Sequence, residues 1–181
     1  CLQPLIQQSL ANDDFAFGTM QPIEIGHAVG RAHRVTYVGE LGWELYIPAD
    51  MSAHVFETLM ARRQDHDLAL CGLHALDSCR IEKAFRHFGH DISNEDHVLE
   101  AGLGFAVKED KTAGRFGGMI GADAVRAKRN DGLSQRLMQF CLKDREPLLY
   151  HNEAILRDGE LIGYLTSGNY GHHLGAAIGL G

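Results

Sequence analysis

The stretch at residues 35–47 constrains this chain more than any other, because a glycine-rich connection joins two runs of strand-like residues. Residues 34–37 read as an extended run. Gly39-Glu40-Leu41-Gly42 is the connection, and residues 43–47 are the return strand of a β-hairpin. Side chains alternate between the two faces of a strand, so Trp43, Leu45 and Ile47 share one face and Glu44 and Tyr46 the other. Three large apolar side chains make the first face a core face. That leaves a carboxylate, Glu44, in mid-strand on the opposite face. Two readings are open from the pattern alone. The face is wet, as in many antiparallel sheets, or it lines a cavity in which Glu44 accepts hydrogen bonds from a ligand.

The remaining segments predict an α+β fold. Residues 1–10 are mixed polar and apolar and permit a helix, which Ala11-Asn12-Asp13-Asp14 breaks; Asp14 is placed to cap a short turn with Phe15 and Phe17. Ile23 and Ile25 alternate with Glu24 in a short strand closed by Gly26. Asp50 or Ser52 is placed to cap a helix with Val55, Phe56, Leu59 and Met60 at helical spacing. A second helix is predicted over residues 73–88, ended by Gly89. Its apolar stripe of Leu73, Leu76 and Ala84, with Cys79 beside it, also carries Arg80. A guanidinium on such a stripe needs a partner, because an unpaired buried charge is very costly. Either an internal acid such as Asp77 or Glu44 or an anionic or carbonyl group of a ligand would serve.

Residues 99–108, with two glycines among alternating apolar residues, read as a strand that something approaches closely. Residues 121–129 read as a helix ended by Asn130-Asp131-Gly132. From about Ser134 the character changes to all-β. Residues 137–142 are a strand, residues 154–163 a hairpin with an Asp158-Gly159 turn, and residues 164–168 its continuation. The expected organisation is therefore an antiparallel sheet with helices over residues 1–133 and a small β-barrel over residues 134–181. The chain opens on Cys1 and stops within glycine-rich residues 178–181, so both domains are expected to be incomplete.

Several function classes are disfavoured. A net charge of −7 argues against nucleic acid or an anionic membrane surface as a general partner. No apolar run is long enough to span a bilayer, and no signal-peptide pattern is present. The four cysteines lack CxxC spacing and read as reduced thiols. His87, His90 and Asp91 offer a His-x-x-His spacing, but Gly89 interrupts it and no companion metal motif accompanies it; His172-His173 is treated alike. No GxGxxG follows a strand, and no Walker A loop or GxSxG elbow occurs, so dinucleotide binding and serine hydrolysis are set aside.

These segments together resemble a known family. Tyr37-Val38-Gly39-Glu40-Leu41-Gly42-Trp43-Glu44 resembles the YTGExGxE signature of the glycine-cleavage T-protein (aminomethyltransferase) superfamily. Arg80-Ile81-Glu82-Lys83-Ala84 resembles its RLE helix segment and Gly89-His90-Asp91 its GHE or GHD step. Leu99-Glu100-Ala101-Gly102-Leu103-Gly104 resembles LEAGLGW, and Thr166-Ser167-Gly168 the TSG barrel motif. The wording around Trp43 and around Arg80 is closer still to the C-terminal folate-binding region of dimethylglycine and sarcosine dehydrogenases.

The resemblance implies a tetrahydrofolate site in a channel through three subdomains, the last a small β-barrel. It places Glu44 at the position whose carboxylate accepts the N–H and amino groups of the pterin as a bidentate pair. Arg80 matches an arginine that contacts the folate, and Tyr37 the tyrosine near the pterin. Phe105 stands where the T-protein usually has Trp, and Phe88 where it has Tyr; Phe88 cannot donate a hydroxyl hydrogen bond.

The implied reaction captures a one-carbon unit from a small N-methyl amine as 5,10-methylenetetrahydrofolate, with FAD belonging to an attached upstream domain. The family's catalytic aspartate has no match here, since Asn12-Asp13-Asp14 does not fit, so this chain alone is expected to be inert. A stand-alone aminomethyltransferase is the alternative. A non-catalytic folate-binding regulator is another, although its KGC-type motif is absent. The implied compartment is the cytoplasm, or the mitochondrial matrix as the alternative, with neither nucleic acid nor membrane as a partner.

Overall fold

Ile23 and Ile25 go where their alternation sends them, into a core that also holds Phe15, Ala28, Ala32 and Val55. A computed structural model describes residues 1–108 and 118–181 of the chain. They form two compact units, Cys1–Cys79 and Arg80–Gly181.

In the first unit, β1 (Met20–Ile25), β2 (Ala28–His33) and β3 (Glu44–Tyr46) form an antiparallel sheet in that order. β1 and β2 are joined by the two-residue turn Gly26-His27, with Gly26 at φ 59°. A side chain at Gly26 would meet the ring of His54, whose Nε2 accepts the His27 N–H at 3.0 Å. The helix predicted after Pro48 is α1 (Ser52–Met60), and its Val55 enters the same core. Each Ile or Phe buried this way contributes about 1.5–3 kcal/mol of hydrophobic stabilisation. Residues 1–10 form only a short 3-10 turn, Gln3–Leu5.

The central hairpin is wider than predicted. Its outgoing strand is β2, which ends at His33, rather than residues 34–37. The pairs Arg31↔Tyr46, Ala32↔Leu45 and His33↔Glu44 close it, and residues 34–43 are an irregular loop. Arg34 explains the early end. Its N–H bonds Thr19 O at 3.0 Å. Its guanidinium donates to Phe15 O and Asn12 Oδ1 and lies 5.7 Å from the Trp43 ring centre. The chain is thus tied to the residues before β1 and leaves the β2–β3 ladder. Within the loop, Thr36 Oγ1 accepts the Val38 N–H and Gly39 takes φ 73°.

The chain division falls within α2 (Leu73–Glu82), which stops six residues before the predicted end. Ala84 adopts a left-handed φ of 54°, and the N–H of Phe85 returns to Arg80 O at 2.9 Å, closing the helix. The predicted stripe also differs at its start. Leu73 is 80% exposed, while Ser78, Arg80 and Ile81 are buried.

Residues 99–108 are turns followed by a 3-10 turn, Gly104–Ala106, and not a strand. The expected close approach is nevertheless there. A Cβ on Gly102, at φ 71°, would lie 2.5 Å from Arg86 Nη2, and Arg86 Nε donates to Ala101 O at 2.9 Å. Backbone bonds from Ala101 to His97 O and from Leu103 to Val98 O take the place of a ladder.

After α3 (Ala122–Asp131), stopped by Gly132 at φ 87°, the chain is all-β. Its strands are β4 (Gln139–Cys141), β5 (Ala154–Arg157), β6 (Glu160–Tyr164), β7 (Ser167–Gly171) and β8 (Ala176–Leu180). They form a β4-β8-β7 sheet and a β5-β6 hairpin. Asp158 and Gly159 both take positive φ, 54° and 86°, as a two-residue turn of this kind requires. β8 is buried along its whole length, and its Ile178 and Leu180 pack with Ile81.

Candidate functional site

The alternation in β3 sorts its side chains as the sequence requires. Trp43, Leu45 and Ile47 pack against the core of the first unit, and Glu44 and Tyr46 are exposed on the other face. Register then decides their company. His33 lies across from Glu44, and Arg31 across from Tyr46. The Tyr46 hydroxyl donates to Glu44 Oε2 at 2.8 Å. That bond, reinforced by the negative charge of Glu44, pushes the Tyr46 hydroxyl above the ordinary tyrosine range. Beside Tyr46 is an open groove of about 630 Å³, lined by Arg31, Val29, Pro22, Ile47 and Pro48. Glu44 therefore stands as an exposed carboxylate on β3 with one partner already in place; Tyr46 lines the groove and Glu44 does not.

Tyr37 lies half-buried in the 34–43 loop of the same unit, with bonding partners of its own. The loop also borders an apolar cavity of about 480 Å³, formed by Val38 with Cys71, Leu73, Ala75, Leu76 and Cys79. Sequence reasoning assigned Leu73 and Leu76 to a packed stripe and so missed this cavity. Their spacing, one helical turn apart, was the available signal, but spacing alone does not distinguish a packed wall from an open one.

The second unit holds Arg80, Phe88 and Phe105. Arg80 is 1% exposed, and its charge has an internal partner: Nη1 donates to Asp91 Oδ2. Nη1 also reaches Phe85 O at 3.1 Å, and Nη2 reaches Ser167 Oγ at 2.8 Å. Asp91 in turn accepts hydrogen bonds from the Thr166 hydroxyl at 2.7 Å, the Ser167 hydroxyl and the His87 N–H at 2.9 Å. Burial alone would raise the Asp91 pKa. The bonds from Ser167, His87 and Thr166 and the Arg80 charge outweigh burial and hold the carboxyl below its usual range.

Of the two partners weighed for Arg80, an internal acid and a ligand, the fold supplies the acid. That acid is Asp91, and not Asp77 or Glu44, the two candidates named from the sequence. The signal was present, since a buried arginine demands a carboxylate, but sequence separation does not say which one. Phe88 and Phe105 are 68% and 82% exposed. Phe88 stands on a tight turn in which Gly89 N–H bonds Ile92 O at 2.7 Å. Among the described residues no group of three or more His, Cys, Asp or Glu side chains is arranged to hold a metal ion.

Comparison with known proteins covers nearly the whole chain. Residues 1–111 match the family model of the GCVT N-terminal domain, and residues 135–181 that of the glycine cleavage T-protein C-terminal barrel domain. A 4-methylaminobutanoate oxidase (formaldehyde-forming) of Paenarthrobacter nicotinovorans is 42% identical over 87% of this chain and 19% of its own length. Human mitochondrial sarcosine dehydrogenase is 36% identical over 99% of this chain and 19% of its own. An aminomethyltransferase of Halothermothrix orenii is 38% identical over 96% of this chain and 45% of its own. The chain thus spans about a fifth of the oxidase and dehydrogenase and under half of the aminomethyltransferase. The crystal structure of glycine cleavage system aminomethyltransferase T from Bartonella henselae superposes with a TM-score of 0.74. It is 24% identical, over 88% of this chain and 43% of that one, which establishes the common fold.

Proposed function

This chain belongs to the glycine cleavage T-protein family, and from that premise we propose that it is the tetrahydrofolate-binding region of an enzyme that captures an amine-derived one-carbon unit as 5,10-methylenetetrahydrofolate. The observation that carries the reading is Glu44, an exposed carboxylate fixed on β3 by a core on the other face of the strand. A pterin presents an N–H and an amino group side by side, and a carboxylate accepts both in a charge-assisted pair. The residues present fit that group: Glu44 is accessible, and the acceptor sites of its carboxylate beyond the one used by the Tyr46 hydroxyl are open to a donor pair.

When bound, tetrahydrofolate supplies the nucleophilic nitrogens that accept the carbon. The work of this chain is to hold the pterin so that capture outruns hydrolysis. Glu44 orients it, with Tyr37 on the neighbouring loop. Phe88 and Phe105 are assigned as exposed aromatic surfaces for the ligand. Arg80 enters as a positioning residue, because its guanidinium is occupied inside the second unit. The division into a folate-binding domain over residues 1–133 and a barrel over residues 134–181 is part of the same reading.

Sarcosine, dimethylglycine and 4-methylaminobutanoate, named in the relatives, are all N-methyl amino acids. That chemistry favours a small N-methyl amine as the carbon source and a flavin domain in the whole protein to oxidise it. The similarity to an aminomethyltransferase over 96% of the chain supports a second reading, transfer without a flavin. Upstream sequence with a dinucleotide-binding motif separates the two, and the compartment, cytoplasm or mitochondrial matrix, follows from the same sequence.

The reading is tested by titrating the whole protein with 5-formyltetrahydrofolate. Glu44→Gln is expected to weaken binding by about tenfold or more, the scale of a hydrogen bond to a charged group. Unchanged binding by Glu44→Gln removes Glu44 from the site. In a separate turnover assay with tetrahydrofolate and formaldehyde, residues 1–181 alone are expected to form methylenetetrahydrofolate no faster than the spontaneous reaction.

A further inference from the structure

The reading of Glu44 leaves the contact between Tyr46 and Glu44 without a role. We infer that Tyr46 is a positioning residue for folate recognition, one that sets the Glu44 carboxylate in the orientation a bidentate donor pair requires. The inference rests on the assignment of Glu44 as the pterin-reading acid and deepens it.

The geometry is local and direct. Residues two apart on a strand point the same way, so Tyr46 stands beside Glu44 on the exposed face of β3. Its hydroxyl donates to Oε2 at 2.8 Å, ordinary for an O–H to oxygen bond. The terminal torsion of a glutamate is broad and nearly unrestrained. An exposed Glu44 without this bond would sample many orientations, and binding would have to order it.

One donated hydrogen bond removes that freedom and does not exhaust the acceptor. A carboxylate has about four lone-pair sites, and Tyr46 uses one. Oε1 and the remaining site on Oε2 can still accept a parallel pair of N–H donors. The tyrosine is itself well suited to the task. It has only two side-chain torsions above the hydroxyl, and its ring forms one wall of the groove that also contains Arg31, Val29, Pro22 and Pro48. A residue here with no donor, such as phenylalanine, would keep that wall and lose the orientation.

A double-mutant cycle on the whole protein separates this role from a merely structural one. Binding of 5-formyltetrahydrofolate is measured for the parent, Tyr46→Phe, Glu44→Gln and the double variant. Tyr46→Phe is expected to weaken binding by about three- to tenfold, the cost of ordering a side chain on binding. In the Glu44→Gln background the same change is expected to have little further effect, because the orientation it supplies no longer matters. The urea midpoint of Tyr46→Phe is expected to match the parent.

Equal weakening in both backgrounds would mean that the hydroxyl acts independently of the Glu44 carboxylate, and the inference falls. Parental binding by Tyr46→Phe overturns it as well, while a weakened Glu44→Gln leaves the assignment of Glu44 standing. Parental binding by Glu44→Gln instead overturns the assignment itself, and the inference with it.

Discussion

The Arg80 guanidinium is buried, and the groups that satisfy it come from distant parts of the chain. Its position four residues after Leu76 and four before Ala84 signalled burial, and it is buried. The physical demand for a compensating charge followed at once. What the sequence did not carry was the identity of that charge, because Asp91 is brought to Arg80 by a turn and Ser167 by a strand 87 residues away. The node is costly to break from one side. Asp91→Ala is expected to destabilise the protein by about 3–5 kcal/mol, since it leaves a buried guanidinium unpaired. Replacing both members, with Arg80→Met and Asp91→Leu, is expected to cost less than Asp91→Ala alone. Urea denaturation of the three proteins compares them directly, and a double replacement costlier than the single one would refute the charge argument.

At the scale of elements, local signals were legible where a turn is decided by two residues and obscure where tertiary contacts decide. Asp158-Gly159 specified its hairpin; the start of α1 was legible but not its cap, since neither Asp50 nor Ser52 caps it: the N-cap is Met51, and the Ser52 hydroxyl turns back to Ala49 O at 2.8 Å. The end of α2 was misplaced because Ala84, a good helix former, is held at a left-handed φ by the returning backbone of Phe85. The two glycines before Phe105 announced a close approach but not its kind. The approaching group is the guanidinium of Arg86, over a turn and not over a strand. Gly102 therefore has two reasons to be glycine. Gly102→Ala is expected to cost about 1–2 kcal/mol from the left-handed backbone, with a further contribution from moving Arg86. A urea midpoint equal to that of the parent would contradict this account.

For the molecule as a whole, the acid limb of stability follows from Asp91. Its carboxyl titrates lower in the folded protein than in the unfolded chain. The unfolded state therefore binds the proton more readily as pH falls. The contribution is complete above the unfolded value of about 4 and is lost as pH drops through the lower, folded value. Acid unfolding is thus expected to steepen below about pH 4, and Asp91→Asn is expected to flatten that limb. An unchanged limb in Asp91→Asn would assign the transition to other carboxylates. At this scale the α+β class and the all-β tail were readable from periodicity and turn chemistry. The division at Cys79 was not, because it falls inside a continuous helical pattern.

The loop at residues 34–43 has one more implication. Glu44 is held by the ladder to β2 and by the inward-facing side chains of Trp43 and Leu45, and Trp43 is its only neighbour among these that belongs to the loop. Most of the loop can therefore drift in sequence while the carboxylate keeps its place. A lineage could rewrite residues 38–42 without moving the strand that presents the carboxylate. The sequence of the loop and the placement of Glu44 would then vary as separable traits.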